Sequence, residues 1–189
     1  MRASGLLSTA LQLGISWAVT FTSCSNSEIA TLQTAMGRAT DKAYAVIDYL
    51  EANPNGSDLW TTYYGAFTTE RYNRVLTAFQ KIAPDIATTY SYDCSCDSDV
   101  VIASIGGSYG EVQICNVYFN TGVVPATGMR SQWTTIIHES THFPAVLRTY
   151  DNGYGADYCK QIALEDPEKA LSTADCHTVF ALEVPPYGP

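Results

Sequence analysis

The sequence predicts an α+β fold: one mostly helical domain that carries a small antiparallel sheet and is stapled by disulfides. Three observations lead there. Long stretches in both halves of the chain set apolar residues three and four apart, the period of a helix with one buried face. Residues 86–119 instead carry short β-branched runs separated by turn residues. Six cysteines, at 24, 94, 96, 115, 159 and 176, form an even set with no CxxC pair, which suits disulfides in an oxidising compartment better than a thiolate zinc site. With 189 residues the chain has room for one substantial core and hardly for two.

The elements follow in order. Residues 1–19 resemble a secretory signal peptide, with Arg2 ahead of Leu6-Leu7 and an apolar stretch through Val19; the tail of a longer precursor is the competing reading. Residues 20–189 are then the functional domain. From Ser27, a fair N-cap, to about Ala52 the apolar positions Ile29, Leu32, Met36, Ala39, Ala43, Val46, Ile47 and Leu50 predict a helix that Asn53-Pro54-Asn55-Gly56 ends. Asn55-Gly56-Ser57 is an N-glycosylation sequon, which makes Asn55 a candidate carrier on a surface loop of a secreted protein. A second helix is expected over about 68–81, with Tyr72, Val75, Leu76 and Phe79 on one face and Pro84 closing it. Ile86–Tyr90, Val100–Ala103 and Val112–Tyr118 read as strands of a meander or hairpin, with turns at 97–99 and 106–110. Cys94 and Cys96 alternate along an extended segment, so they point apart and bond to different partners.

After a Pro/Gly loop at 122–128, residues Ser131 to Phe143 form the helix that matters most. It contains His138-Glu139-Ser140-Thr141-His142, a complete HExxH motif. Two histidines four apart leave the same helix face, where one Zn²⁺ can bridge them, and Glu139 projects beside them as a base for a metal-bound water. Only three histidines occur in the chain, and the preceding Trp133–Ile137 run is uncharged, so the motif sits on a helix with a buried side. The bland alternative is a surface helix with two unrelated histidines. Pro144 stops this helix directly after the motif. Further helices are expected over about 156–164 and 167–180.

Two histidines leave zinc short of a ligand. Position 145 is Ala and position 148 is Arg, so the HExxHxxGxxH pattern fails. Asp151, on a loop long enough to return to the metal, is the nearest good candidate, although Asp-Asn-Gly is also an ordinary turn sequence.

His-Glu-Ser-Thr-His-Phe followed by Thr149-x-Asp151-x-x-Tyr154-Gly155 resembles the signature of the aspzincin metalloproteases, and most of all the fungal peptidyl-Lys metalloendopeptidases. The likeness extends to Ser23–Glu28, Tyr92–Cys96, Glu111–Cys115, Asp166–Ala170 and Ala174–His177, so it covers roughly residues 20 to 182. It implies a zincin-like fold with one Zn²⁺ per chain held by His138, His142 and Asp151. It implies Glu139 as general base and Tyr154 as hydrogen-bond donor to the oxyanion, with packing as the lesser role for Tyr154. It implies the pairings Cys24–Cys94 and Cys96–Cys115, which leave Cys159 and Cys176 as a third bridge or as free buried thiols.

Three positions depart from the family pattern. Arg148 replaces a glycine, Pro144 shortens the motif helix abruptly, and Thr178 stands where Lys-specific members carry a glutamate one helical turn from the residue matching Asp175. Asp175 and Thr178 are thus the substrate-binding candidates, and one carboxylate in place of two predicts cleavage before Lys with reduced selectivity.

The expected protein is a secreted, extracellular, monomeric zinc endopeptidase acting on protein or peptide substrates that contain lysine. A net charge of −9 with only ten Lys plus Arg argues against nucleic-acid and anionic-membrane partners. The alternative is a catalytically silent secreted zinc-binding interaction protein, which Arg148, Pro144 and Thr178 motivate. A disulfide-stapled structural protein without metal is a third reading, and it makes the ordered motif spacing accidental.

Overall fold

The structure, a computed structural model, describes residues 19–122 and 131–185. The segment expected over 1–19, apart from its last residue, and the loop expected over 122–128, apart from its first, lie outside the described residues. The elements are β1 (Thr20–Thr22), α1 (Asn26–Ala52), α2 (Asp58–Tyr64), α3 (Thr69–Thr88), β2 (Ser91–Cys96), β3 (Ala103–Ile105), β4 (Glu111–Cys115), a 3-10 helix (Asn116–Asn120), α4 (Gln132–His142), α5 (Ala156–Glu165), α6 (Pro167–Leu171) and α7 (Ala174–Glu183). Helix dominates, and the sheet is small, as the sequence predicts.

The cap of helix α1 lies two residues before the expected one. Ser25 is the N-cap, its hydroxyl accepting from the Glu28 amide while the Glu28 carboxylate accepts from the Ser25 amide. Its buried face is Leu32, Ala35, Met36, Ala39, Ala43, Val46, Ile47 and Leu50, packed mainly on α3.

The expected end of α3 at Pro84 and the expected strand at Ile86–Tyr90 are both corrected, because the helix runs through Pro84 to Thr88. The helical spacing of Tyr72, Val75, Phe79, Ile82, Ala83 and Ile86 continues past the proline, and all six are buried. Burying Ile82 and Ile86 is worth about 1.5–3 kcal/mol each, enough to offset the ~3 kcal/mol that an interior proline costs. The β-branched tail of the segment gave a strand signal that this packing overrides. Helix α2, which follows the sequon, is new: Ser57 caps it, and Trp60, Tyr63 and Tyr64 bury one face.

The sheet is mixed, which corrects the expected antiparallel sheet. Its order is β1-β2-β4-β3; β1 and β4 both run parallel to β2, and only the β3–β4 pair is antiparallel. The reason is the connection between β1 and β2. Three helices lie between them, and a long crossover lets strands run the same way, whereas a tight turn joins antiparallel ones. Gly110, at φ +85°, lies in the turn between β3 and β4. The strands expected at Val100–Ala103 and Val112–Tyr118 sit at 103–105 and 111–115, the latter passing into the 3-10 helix.

Three disulfides join Cys24 to Cys94, Cys96 to Cys115 and Cys159 to Cys176. They fasten the entry of α1 to β2, β2 to β4, and α5 to α7. Helix α4 lies inside this frame, against α1 and α7, with α3 and β3 also in contact.

Candidate active site

Every residue of α4 from Gln132 to Thr141 is buried, although seven of the ten are polar or charged. The sequence makes that tolerable through its hydroxyls. Thr135, Ser140 and Thr141 donate to the carbonyls of Ser131, Ile136 and His138, so buried polar groups find partners within the helix. Ser131 caps the helix in a reciprocal arrangement with Thr134, and the helix ends at His142 before Pro144.

His138 and His142 project from one face, with ring centroids 4.9 Å apart. Asp151 meets them: its Oδ1 is 2.9 Å from His138 Nε2 and 3.7 Å from His142 Nε2. One ligand atom from each of the three lies within 4.8 Å of the others, a spacing that can hold a metal ion. The donor set also fits zinc chemically, since two imidazoles and a carboxylate are borderline ligands that leave a fourth tetrahedral position open.

The loop that returns Asp151 to the helix is pinned at several points. Thr149 N donates to Thr141 O, Tyr150 N to Ser172 O, and Ala174 N to Tyr150 O. The Asn152 amide donates to Thr173 Oγ1 at 3.1 Å. Gly155 N donates to the Asp175 carboxylate. A Cβ on Gly153 would lie 2.5 Å from the Tyr158 ring, so the loop passes where only glycine fits.

Arg148, at the family's glycine position, adopts φ +53° and still delivers the loop. Thr141 and Thr149 are the site residues that sequence reading missed. Both fall inside the motif segments, but spacing does not reveal their role, which depends on a loop returning to a helix.

Burial opposes a charged His138, but bonds to the carboxylates of Asp151 and Asp175 outweigh it and lift its pKa to about 9. The bond from His138 is the main cause that draws Asp151 down to about 2, with burial opposing and the Tyr154 hydroxyl adding to the fall. The two shifts run in the directions that favour positive charge between His138 and Asp151, which is the charge a metal cation would bring.

Glu139 is 6% exposed and Tyr154 is 52% exposed, its ring stacked on His138 at 6.3 Å between centroids. Asp151 and Tyr154 therefore open the site to solvent while Glu139 lies deeper. Asp175 and Thr178 occupy the first turns of α7 and are both buried, Asp175 facing His138 and Thr178 donating to Ala174 O. Asn55 is exposed between α1 and α2, beside Ser57, whose hydroxyl takes bonds from Trp60 N and Tyr49 Oη.

Comparison with known proteins identifies relatives of this chain. The family model described as "Lysine-specific metallo-endopeptidase" matches residues 49–182. The chain is 33% identical over 163 residues to a peptidyl-Lys metalloendopeptidase of Pleurotus ostreatus, covering 86% of this chain and 95% of that protein. It is 29% identical over 181 residues to the Armillaria mellea peptidyl-Lys metalloendopeptidase, and 30% over 163 residues to an extracellular protease of Aeromonas hydrophila. These alignments cover 95% and 86% of this chain but only 51% and 46% of those two relatives. Among solved structures, a zinc peptidase from Grifola frondosa superimposes with a TM-score of 0.76 at 30% identity, covering 84% of this chain and 96% of that one. The chain belongs to the aspzincin family of Lysine-specific metallo-endopeptidases.

Proposed function

We propose that residues 20–189 form the catalytic domain of a secreted zinc endopeptidase that cuts peptide bonds on the amino side of lysine. The observation that carries this reading is the convergence of His138 Nε2, His142 Nε2 and Asp151 beside Glu139 on a buried helix, with Tyr154 at the open side. His138, His142 and Asp151 hold the single ion. Bound there, Zn²⁺ supplies Lewis acidity and lowers the pKa of a coordinated water to about 7.

The chain's own groups supply the rest. Glu139 accepts the proton of the attacking water and passes it to the leaving amine, a general acid–base contribution of about 10²–10⁴-fold. Tyr154, exposed beside His138, donates its hydroxyl to the substrate carbonyl oxygen as negative charge develops there. Asp175 supplies negative charge for a lysine ammonium. Thr178 on the same helix adds none, so the preference for lysine is weaker than two carboxylates would give.

Secretion is supported by three disulfides and by a relative named an extracellular protease. Among the described residues no helix is long and apolar enough to cross a membrane. Asn55 is exposed and available for glycosylation. The substrates are lysine-containing proteins or peptides, and the chain acts as a monomer.

The test is digestion of a denatured lysine-rich protein by the zinc-loaded chain, with new termini mapped by mass spectrometry and Glu139→Ala as control. Cuts before Lys that vanish in the control are expected. Scattered cuts would retain the mechanism and remove the lysine preference. Bound zinc without any cuts would favour the silent zinc-binding module.

A further inference from the structure

We infer that Asp175 is a positioning residue that holds His138 in its metal-binding tautomer and ties the motif helix to the loop of Asp151; this rests on the zinc reading above. The Asp175 side chain is buried, the whole residue being 4% exposed, and its two oxygens face two different elements. Oδ2 accepts from Gly155 N, four residues beyond Asp151. Oδ1 lies 3.4 Å from His138 Nδ1 on α4. That nitrogen is itself buried and makes no hydrogen bond within ordinary geometry among the described residues, so the Asp175 carboxylate at 3.4 Å is the acceptor that faces it. His138 Nε2, on the other side of the ring, is the atom that meets Asp151.

The chemistry of the imidazole explains the arrangement. A ring that gives its Nδ1 proton to a carboxylate presents an unprotonated Nε2, and an outer carboxylate of this kind fixes both tautomer and ring orientation. A carboxylate has only acceptors, so it can serve Gly155 N–H and His138 Nδ1–H together. An asparagine cannot. Whichever way its amide turns, the NH₂ group meets one of the two donors. Turned toward His138, it favours the tautomer with the proton on Nε2 and withdraws the lone pair that a metal needs.

A group that only reads the lysine side chain predicts something different. Its loss changes the Lys preference and leaves the metal alone.

The experiment compares Asp175→Asn and Asp175→Ala with the parent protein. Zinc affinity is measured by competition with a chromophoric chelator, and histidine tautomers by ¹⁵N NMR of the side chains. Zinc binding 10–100-fold weaker is expected in Asp175→Asn, with a smaller loss in Asp175→Ala, where water can take the Nδ1 proton. In the zinc-free proteins at alkaline pH, where the ring carries a single proton, the NMR should show it on Nδ1 of His138 in the parent and on Nε2 in Asp175→Asn. A purely structural support for the loop would make alanine at least as damaging as asparagine, which overturns the inference. Unchanged zinc affinity in both variants, with only lysine selectivity lost, overturns it too. If the parent fails to bind zinc, the reading of the site itself falls and takes this inference with it. Should Asp175→Asn fail to fold, the alanine variant decides by its tautomer as well as its affinity: a His138 ring that keeps its single proton on Nδ1 as in the parent overturns the inference, and weaker zinc binding with part of the proton moved to Nε2 supports it.

Discussion

His142 Nδ1 lies 2.9 Å from the backbone carbonyl of Thr149, and because a carbonyl only accepts, the proton of that imidazole must sit on Nδ1. Its Nε2 is left to face Asp151. The same threonine's hydroxyl sits 2.8 Å from Thr141 Oγ1, and Thr141 donates in turn to His138 O. A short chain of bonds thus links the returning loop to both motif histidines. Thr149→Val keeps the carbonyl and the shape but breaks the hydroxyl links. Chemical denaturation should show a loss of about 1–2 kcal/mol, the cost of an unmade buried hydrogen bond. Chelator competition should show zinc affinity reduced about tenfold, the lower end for outer-sphere partners because the carbonyl remains.

The sequence made the motif helix legible because its information is local: a Ser131 cap, an uncharged run, two histidines four apart and a stopping proline. It also located α1 and the C-terminal helices, whose apolar spacing is regular, though the expected single helix over 167–180 is two, divided at Ser172-Thr173. What it missed depends on contacts between distant segments. The strand signal at Ile86–Tyr90 gave way to packing of Ile86 in the core, and the parallel pairing of β1, β2 and β4 is set by crossovers that no window of sequence contains. Asp175 was legible as an acidic residue near the site, but its orientation toward His138 and Gly155 was not.

His177, the third histidine, is a stability element rather than a ligand. It is fully buried; Nε2 donates to Leu171 O at 2.8 Å, so Nδ1 must accept from the Tyr64 hydroxyl, also at 2.8 Å. Burial is the main cause that lowers its pKa to about 4 from the usual 6.5, and the bond to Leu171 only partly opposes it. Below pH 6.5 the unfolded chain therefore binds a proton that the folded one refuses. The stability this group contributes is complete above about 6.5 and declines as the pH falls toward 4, by roughly 3 kcal/mol in all. Urea titrations from pH 7.5 to 4 should show this decline in the parent chain. His177→Gln should lack that portion of it, and identical pH profiles would remove His177 as the cause.

Arg148 carries a strain that the fold does not need. Its φ of +53° places a residue with a Cβ in the left-handed region, at a cost of about 1–2 kcal/mol for an L-residue. Glycine adopts that backbone without penalty but loses more entropy on folding, so Arg148→Gly should gain about 0.5–1 kcal/mol net. For a chain of this size the melting temperature should rise by about 1–4 °C in calorimetry. A lower melting temperature would mean that the guanidinium makes contacts worth more than the strain.

Thr178→Glu addresses lysine selectivity without touching the groups around zinc. Asp175 cannot be used for that purpose, since its carboxylate already serves Gly155 and faces His138. Thr178 is buried one helical turn further along α7, and among the described residues its hydroxyl donates to Ala174 O within its own helix. A glutamate there adds a second negative charge beside the first. At an effective dielectric near 20, a carboxylate several ångströms from an ammonium gains about 2–4 kcal/mol before desolvation, so a net preference of about tenfold is reasonable. The measurement is kcat/KM for matched peptides with Lys or Ala after the scissile bond. The ratio should rise about tenfold in Thr178→Glu, through the Lys peptide alone. An unchanged ratio would place lysine recognition elsewhere on the molecule and separate it from α7 altogether.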